Sequence, residues 1–359
     1  MLRCIRSLVF LAILPQIATA DIAVSFLDVG QGDATLLQTS SDCTILIDTG
    51  RHDRNDVVAH LSAAGVQHID YLIGTHPHAD HIGQFPQVLS RFPVGEVWMS
   101  GWEHGSRTFE RALDAILETN AGYEEPRAGH VTECGDAQMR VLHPVDPLTD
   151  IHDNLVVRVD YGAFSLIVTG DAEIEHERQM VRRGEPLQAT VLQLGHHGSY
   201  TSSAPEFLRA VSPQLAVYSA GVGNSYGHPH DAVRQRVRDF GIALIGTDQY
   251  GTIRVTSDGQ HHVLETERDG EAPSLAAPPE KFDGALHHAD TAAPTCIDVN
   301  AAPAQELERI IHIGDTRAAE IIRMRDREQF GAVKDLVRMP GIGPGRLKDI
   351  TTEGLACAE

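Results

Sequence analysis

Apolar and polar positions fall into two periods along the first two-thirds of the chain. Residues 22–27, 34–37 and 44–47 are short apolar runs with turn residues between them, as strands are. Residues 55–64 carry apolar positions at helical spacing. Residues 68–75 form an apolar run of the kind buried on both faces, ending in a polar loop. Runs at 155–159 and 164–169 predict a hairpin turning at Tyr161-Gly162. Further strands are predicted at 189–194 and 215–218, and helices at 205–211 and 231–240. Strands gather first and then alternate with helices. This predicts a layered α/β domain over residues 21–264, with two sheets inside and helices outside.

The pattern changes twice outside that domain. Over 265–295, Pro, Ala, Gly and acidic residues dominate and periodicity is lost, which predicts a flexible linker. Residues 296–359 regain helical spacing at 303–311, 316–325, 332–338 and 345–351. The helices are punctuated by His312-Ile313-Gly314 and by Pro340-Gly341-Ile342-Gly343-Pro344-Gly345, giving two similar helix-turn-helix halves. At the other end, residues 1–20 read as a signal peptide. Arg3 and Arg6 precede an apolar stretch, and Ala18-Thr19-Ala20 is a small-residue cleavage site. The stretch is shorter than the ~20 apolar residues needed to span a bilayer. The expectation is an exported chain, periplasmic or extracellular, with no transmembrane segment once residues 1–20 are removed.

Composition adds limits. The 359 residues are 42% hydrophobic, enough for a full core. The formal charge of −21 argues against broad electrostatic capture of a polyanion and leaves room for local contacts. Beyond Cys4 four cysteines remain, an even number that suggests disulfides in an exported chain. Cys296 and Cys357 bracket the C-terminal module, leaving Cys43 and Cys134 as the other pair.

The densest chemistry is Thr75-His76-Pro77-His78-Ala79-Asp80-His81, three imidazoles and a carboxylate in six positions after a predicted buried strand. Such groups are the usual ligands of zinc and similar divalent ions. Alternate residues of a tight loop point to opposite sides, so His76 and His78 can serve one ion while Asp80 and His81 serve a second. Asp48, Asp171 and the pair His196 and His197 follow other predicted strands at the same end, where α/β folds build sites.

Taken together, these segments resemble the metallo-β-lactamase superfamily, and within it the metallohydrolase domain of ComEC-type competence proteins. The resemblance rests on Phe26-Leu27-Asp28-Val29-Gly30-Gln31-Gly32-Asp33-Ala34, Leu46-Ile47-Asp48-Thr49-Gly50, the His76 motif, Thr169-Gly170-Asp171-Ala172-Glu173, Gly195-His196-His197-Gly198-Ser199 and Tyr226-Gly227-His228-Pro229-His230. It implies a four-layered αββα sandwich holding two divalent ions, zinc or manganese. His76 and His78 would hold the first ion. Asp80 and His81, with one histidine of the 196/197 pair, would hold the second, with Asp171 bridging. Asp33 and Asp48 would be supporting carboxylates. Many superfamily members place another histidine where this chain reads Ile151-His152-Asp153-Asn154-Leu155. Asn154 best matches the ComEC-type pattern there, and His152 is a candidate substitute. Asp80, His228 and His230 are the catalytic candidates, the last two for substrate phosphate or the leaving oxygen.

The segment Met339–Gly345 and its counterpart at His312 resemble a helix-hairpin-helix, the DNA-backbone-binding element of ComEA-type receptors, so the chain is expected to end in a small all-α domain. Gly341, Gly343 and Gly345 let the backbone approach a phosphate, and Arg317, Arg346 and Lys348 are its candidate partners. The combined expectation is a nuclease or phosphodiesterase whose nucleophile is a hydroxide from a water acidified by the ions. The DNA binding expected is sequence-independent. The alternatives are a hydrolase of a lactone, thioester or β-lactam, and a non-catalytic DNA-binding or uptake accessory.

Overall fold

The computed structural model describes residues 21–149, 151–268, 270, 296–302, 307, 310, 312–313, 315–325, 327–353 and 355–358. The signal-peptide expectation, linker residues 271–295 and most of the helix expected at 303–311 lie outside them.

In chain order the strands of the first sheet are β1 (Ile22–Phe26), β2 (Thr35–Thr39), β3 (Thr44–Ile47), β4 (Ile69–Gly74), β5 (Val94–Met99) and β6 (Gly122–Glu124). Those of the second are β7 (Val131–Cys134), β8 (Ala137–His143), β9 (Val156–Tyr161), β10 (Phe164–Val168), β11 (Val191–Gln193), β12 (Leu215–Tyr218) and β13 (Ala243–Gly246). The chain then returns to the first sheet with β14 (Ile253–Ser257) and β15 (His262–Thr266). The first sheet has the order β15-β14-β1-β2-β3-β4-β5-β6, and the second β13-β12-β11-β10-β9-β8-β7. Strand β15 ends two residues beyond the expected domain limit of 264.

Helices α1 (Val57–Ala63), α2 (Phe85–Arg91) and α3 (Arg107–Leu117) cover one sheet, and α4 (Ile174–Arg183), α5 (Pro205–Val211) and α6 (Asp231–Asp239) the other. A short α7 (Thr247–Tyr250) links β13 to β14. Period-two alternation explains the layers. Ile45 and Ile47 of β3 face the core between the sheets, while Leu46 packs under the first helices. Leu166 and Val168 of β10 enter the same central core, and Ile167 faces the second helical layer. Both faces are covered, so these strands are apolar throughout.

Pairing is parallel from β3 through β6 and from β10 through β13. Parallel strands deliver their C-terminal ends to one rim. Asp48, the loop at 75–81, Asp171 and His196-His197 all leave strands there. A disulfide between Cys43 and Cys134, Cα atoms 5.5 Å apart, joins the two sheets at the start of β3.

The C-terminal module packs its own core around Leu307, Ile321, Phe330, Leu336 and Ile350. It contains α8 (Asp315–Arg325), a 3-10 turn at Val333–Arg338 and α9 (Pro344–Glu353). A two-residue parallel ladder of β16 (Ile297–Asp298) and β17 (Ala356–Cys357) adds a strand pair to the helices expected, and the Cys296–Cys357 disulfide closes it. Among the described residues no helix is long and apolar enough to cross a membrane.

Candidate metal centre

The rim is shaped by backbone that few side chains tolerate. Asp48, His196 and His197 sit at φ of 61°, 51° and 56°. Left-handed non-glycine residues are strained, and such strain gathers at functional sites. The double reversal turns the two neighbouring imidazoles to different sides of Asp171. Gly32, at φ +150°, brings the loop before β2 against Asp80; a Cβ there would lie 2.5 Å from the Asp80 carbonyl oxygen.

Around Asp171 the imidazoles are anchored by one ring nitrogen and aim the other inward. His81 Nδ1 lies 2.8 Å from Asp48 Oδ2, and its Nε2 is 3.2 Å from Asp171 Oδ1. His197 Nδ1 donates to the Ser219 carbonyl at 3.1 Å, and its Nε2 is 3.4 Å from Asp80 Oδ2 and 3.8 Å from Asp171 Oδ1. His196 Nδ1 bonds Thr201 Oγ1 at 3.0 Å, with Nε2 3.6 Å from Asp171 Oδ2. His76 Nδ1 bonds Thr75 Oγ1 at 3.2 Å; its Nε2 is 3.6 Å from Asp171 Oδ2 and 2.9 Å from His78 Nδ1. Anchoring the far nitrogen fixes tautomer and ring orientation, as around metal-bound histidines.

The inward atoms fit a cation. Among the described residues, His81 Nε2, His197 Nε2, Asp171 Oδ1 and both Asp33 carboxylate oxygens are buried without a hydrogen-bond partner. Buried polar atoms rarely stay unpaired, and ligands about 2.0–2.2 Å from a tetrahedral ion stand about 3.3–3.6 Å from one another. The ligand atoms of Asp80, His81 and His197 lie within 4.8 Å of one another, as do those of His76, His81 and Asp171. Asp171 belongs to both halves: Oδ1 faces His81 and His197, and Oδ2 faces His76 and His196. The structure therefore brings the expected ligands together and divides the histidine pair, His197 going with Asp80 and His81.

Charge balance points the same way. Burial would raise the pKa of Asp171, yet the charges of His81, His196 and His197 hold it well below the usual carboxylate range. Burial would lower that of His81, but Asp171 and Asp48 carry it well above the ordinary imidazole value; Asp171 and Asp33 do the same for His197. The carboxylates thus demand positive charge at the centre. His76, pushed well down by burial and by His81, is neutral and ready to coordinate.

Supporting residues fall into place around these groups. Asp48 accepts from Thr75 N and Thr75 Oγ1, each at 2.8 Å, besides its bond to His81. Asn154 Oδ1 accepts from Asp171 N at 2.9 Å, and Asn154 Nδ2 donates to the His152 carbonyl at 2.7 Å, so Asn154 orients the bridging aspartate and the neighbouring loop. The His152 ring stands 5.8 Å from His78, 6.3 Å from His76 and 5.7 Å from His196, beside the first-ion group. His228 stacks near His197 at 5.9 Å and stands 4.9 Å from His230 at the mouth. Burial and the neighbouring His197, His230 and His196 push the His228 pKa down to about 3, so it is neutral at pH 7. Sequence reasoning missed Glu173, whose Oε1 lies 3.7 Å from His196 Nδ1, and Tyr200, whose ring lies 4.5 Å from His230. Glu173 stood in a quoted motif two residues after Asp171, a signal that was there to read.

In the tail module Arg317 and Arg346 flank Gly341, while Lys348 lies further along α9; a Cβ on Gly341 would be 3.6 Å from Arg317 Nε and 3.8 Å from Arg346 Nη1. Gly341 has φ +86°, a conformation that favours glycine. Gly343 and Gly345 have open space where a Cβ would stand.

Comparison with known proteins agrees with this architecture. Residues 27–222 match the metallo-beta-lactamase superfamily model, and residues 294–352 match the helix-hairpin-helix motif. "ComE operon protein 3" of Bacillus subtilis is 31% identical over 268 residues, 69% of this chain and 34% of that one. "Competence protein ComA" of Neisseria gonorrhoeae is 36% identical over 238 residues, 65% of this chain and 32% of that one. A "Deoxyribonuclease" of Thioalkalivibrio is 45% identical over 64 residues, 18% of this chain and 17% of that one. The chain thus spans about a third of the length of the competence relatives. Its fold, the matched residues and the histidine–aspartate rim together make it a member of the metallo-β-lactamase superfamily, a metal-dependent hydrolase fold, with a helix-hairpin-helix motif at its C-terminal end.

Proposed function

We propose that this protein is an exported, metal-dependent phosphodiesterase that cuts DNA, with its C-terminal module holding the DNA backbone. The observation that carries the reading is the convergence of unpaired buried ligand atoms on Asp171, at a rim the helix-hairpin-helix module touches. Relatives named for competence and one named deoxyribonuclease support a nucleic-acid substrate. Two disulfides support an oxidising compartment and hence export.

His76, His78, His196 and Asp171 would hold one ion, and Asp80, His81, His197 and Asp171 the other. Bound divalent ions lower the pKa of water toward neutrality and offset charge on the attacked phosphate. The chain's own part is orientation. Asp48 and the Ser219 carbonyl keep His81 and His197 in the tautomer that offers Nε2. Asn154 fixes Asp171 through its backbone N–H. Neutral His228 and His230 line the mouth, where a phosphodiester's negative charge would raise their basicity and let one supply a proton to the leaving oxygen. In the tail module, Arg317 and Arg346 beside Gly341, with Lys348 further along α9, would make the phosphate contacts.

Purified protein is to be assayed on plasmid and single-stranded DNA with manganese, with zinc and with chelator. Cleavage that chelator abolishes and His78→Ala reduces at least about a hundredfold is expected. DNA retention without metal-dependent cleavage, or undiminished activity in His78→Ala, would refute the reading.

A further inference from the structure

The two halves of the tail module repeat the same spacing, and one position breaks the repeat. Arg346 follows Gly341 by five residues, and Arg317 follows His312 by five. The local geometry repeats too: Arg346 Nη1 donates to the Gly341 carbonyl and Arg317 Nη1 to the His312 carbonyl, both at 2.7 Å. His312 therefore occupies the place of the hairpin glycine, at φ +65° against +86° for Gly341. A side chain is kept where glycine is the unstrained choice.

That side chain reaches the hydrolase domain. His312 Nε2 donates to Asp349 Oδ2 of α9 at 2.6 Å, which leaves Nδ1 to accept from Tyr200 Oη at 3.2 Å. Tyr200 lies three residues after His197; its backbone N–H donates to His230 Nδ1 at 3.2 Å. From the metal centre outward the rings follow one another: His197 to His228 at 5.9 Å, His228 to His230 at 4.9 Å, His230 to Tyr200 at 4.5 Å and Tyr200 to His312 at 5.7 Å. Arg346 and Arg317 stand close enough to this seam to oppose the rise that burial imposes on the Tyr200 phenol pKa.

We infer that Tyr200, His312 and Asp349 form a latch that docks the module against the mouth of the metal centre, so that Arg317 and Arg346 hold a polynucleotide backbone in register with the site that cuts it. The inference rests on the proposed nuclease reading, and it replaces loose tethering with a fixed seam. The three residues are positioning residues: they touch one another, and the arginines and the rim do the binding.

The test compares full-length wild type with His312→Gly, Tyr200→Phe and Asp349→Asn, all manganese-loaded. His312→Gly restores the glycine the hairpin favours, so the module keeps its fold, and Tyr200→Phe keeps the ring on His230. Each is assayed on a single-stranded oligonucleotide and on bis(p-nitrophenyl) phosphate, which is too small to reach the module. The latch variants are expected to raise KM for the oligonucleotide about tenfold, with kcat and small-ester turnover within about twofold of wild type. Affinity for a phosphorothioate oligonucleotide, read by fluorescence anisotropy, is expected to weaken by about the same factor. An unchanged KM and an unchanged anisotropy constant in His312→Gly and Tyr200→Phe would overturn the latch. Wild type inert toward both esters would overturn the nuclease reading instead, and the anisotropy comparison would still decide the latch.

Discussion

Asp48→Asn isolates the contribution of one supporting carboxylate to the metal centre. Asp48 is fully buried and accepts three hydrogen bonds of 2.8 Å, from Thr75 N, Thr75 Oγ1 and His81 Nδ1. An asparagine of the same shape keeps its oxygen toward Thr75 N and turns an amide NH2 toward Thr75 Oγ1 and His81. Thr75 can rotate to accept, but His81 Nδ1–H then meets a donor. Relief requires the proton to sit on Nε2, the atom that faces Asp171 Oδ1. His81 would then present a donor where the ion needs a lone pair. Losing such an outer partner weakens metal binding about 10–100-fold, or roughly 1.4–2.7 kcal/mol. The metal-free fold should lose less. Burial raises the Asp48 pKa against the pull of His81, so removing the charge offsets part of the lost bond, and the net change should stay within about 1–2 kcal/mol. Competition against a chromogenic chelator at pH 7.5 gives the affinity, and thermal unfolding in chelator gives the fold term. A wild-type metal constant in Asp48→Asn would refute the assignment of Asp48 as the group that sets the His81 tautomer.

Other changes separate further parts of the molecule. Gly32→Ala places a Cβ 2.5 Å from the Asp80 carbonyl; metal titration in competition with a chelator should show one binding constant weakened and the other near wild type, and equal weakening of both would contradict that grouping. Glu177 is buried and accepts from Ser203 N at 2.7 Å and Ala204 N at 2.6 Å, yet burial outweighs these bonds and raises its pKa to about 7. An acid raised in the fold is bound to its proton more tightly there than in the unfolded chain. Its stabilising contribution is therefore present below pH 4.5 and lost as pH rises toward 7, by up to about 3 kcal/mol. Unfolding temperatures should show a falling limb across that window which Glu177→Gln flattens; an identical slope in the variant would count against Glu177 as its source. Replacing Cys296 and Cys357 by serine opens a loop of sequence separation 61 and should cost the module about 4 kcal/mol in the chain-entropy account, read as earlier proteolysis within residues 296–358.

Much of the rim was legible because its residues stand where apolar strands stop. The runs at 44–47 and 164–169 end at Asp48 and Asp171, and parallel pairing carries those ends to one side. The His76 motif announces its chemistry by density alone. The partition of His196 and His197 was not legible, because it depends on two successive left-handed residues, a conformation no local preference of histidine dictates. Nor was the burial of Asp33, which follows from Asp33 N–H bonding the Asp80 carbonyl at 3.1 Å across a sequence separation of 47. In the sequence His312 stood out only as part of the counterpart to the Met339–Gly345 segment. Its geometry shows why it stands there: the imidazole has partners that lie 112 residues away in one direction and 37 in the other.

The Cys43–Cys134 bridge has a mechanical meaning for the rim. Cys43 lies at the start of β3 and Asp48 just past its end, so one short strand runs from the covalent link to the ligand cluster. His76, His78, Asp80 and His81 come from the first sheet, whereas Asp171, His196 and His197 come from the second. Any ion shared by these groups fastens the same two sheets at the opposite edge. Sulfur thus fastens the two sheets at the start of β3, and ions held by these groups would fasten them again where the parallel strands end.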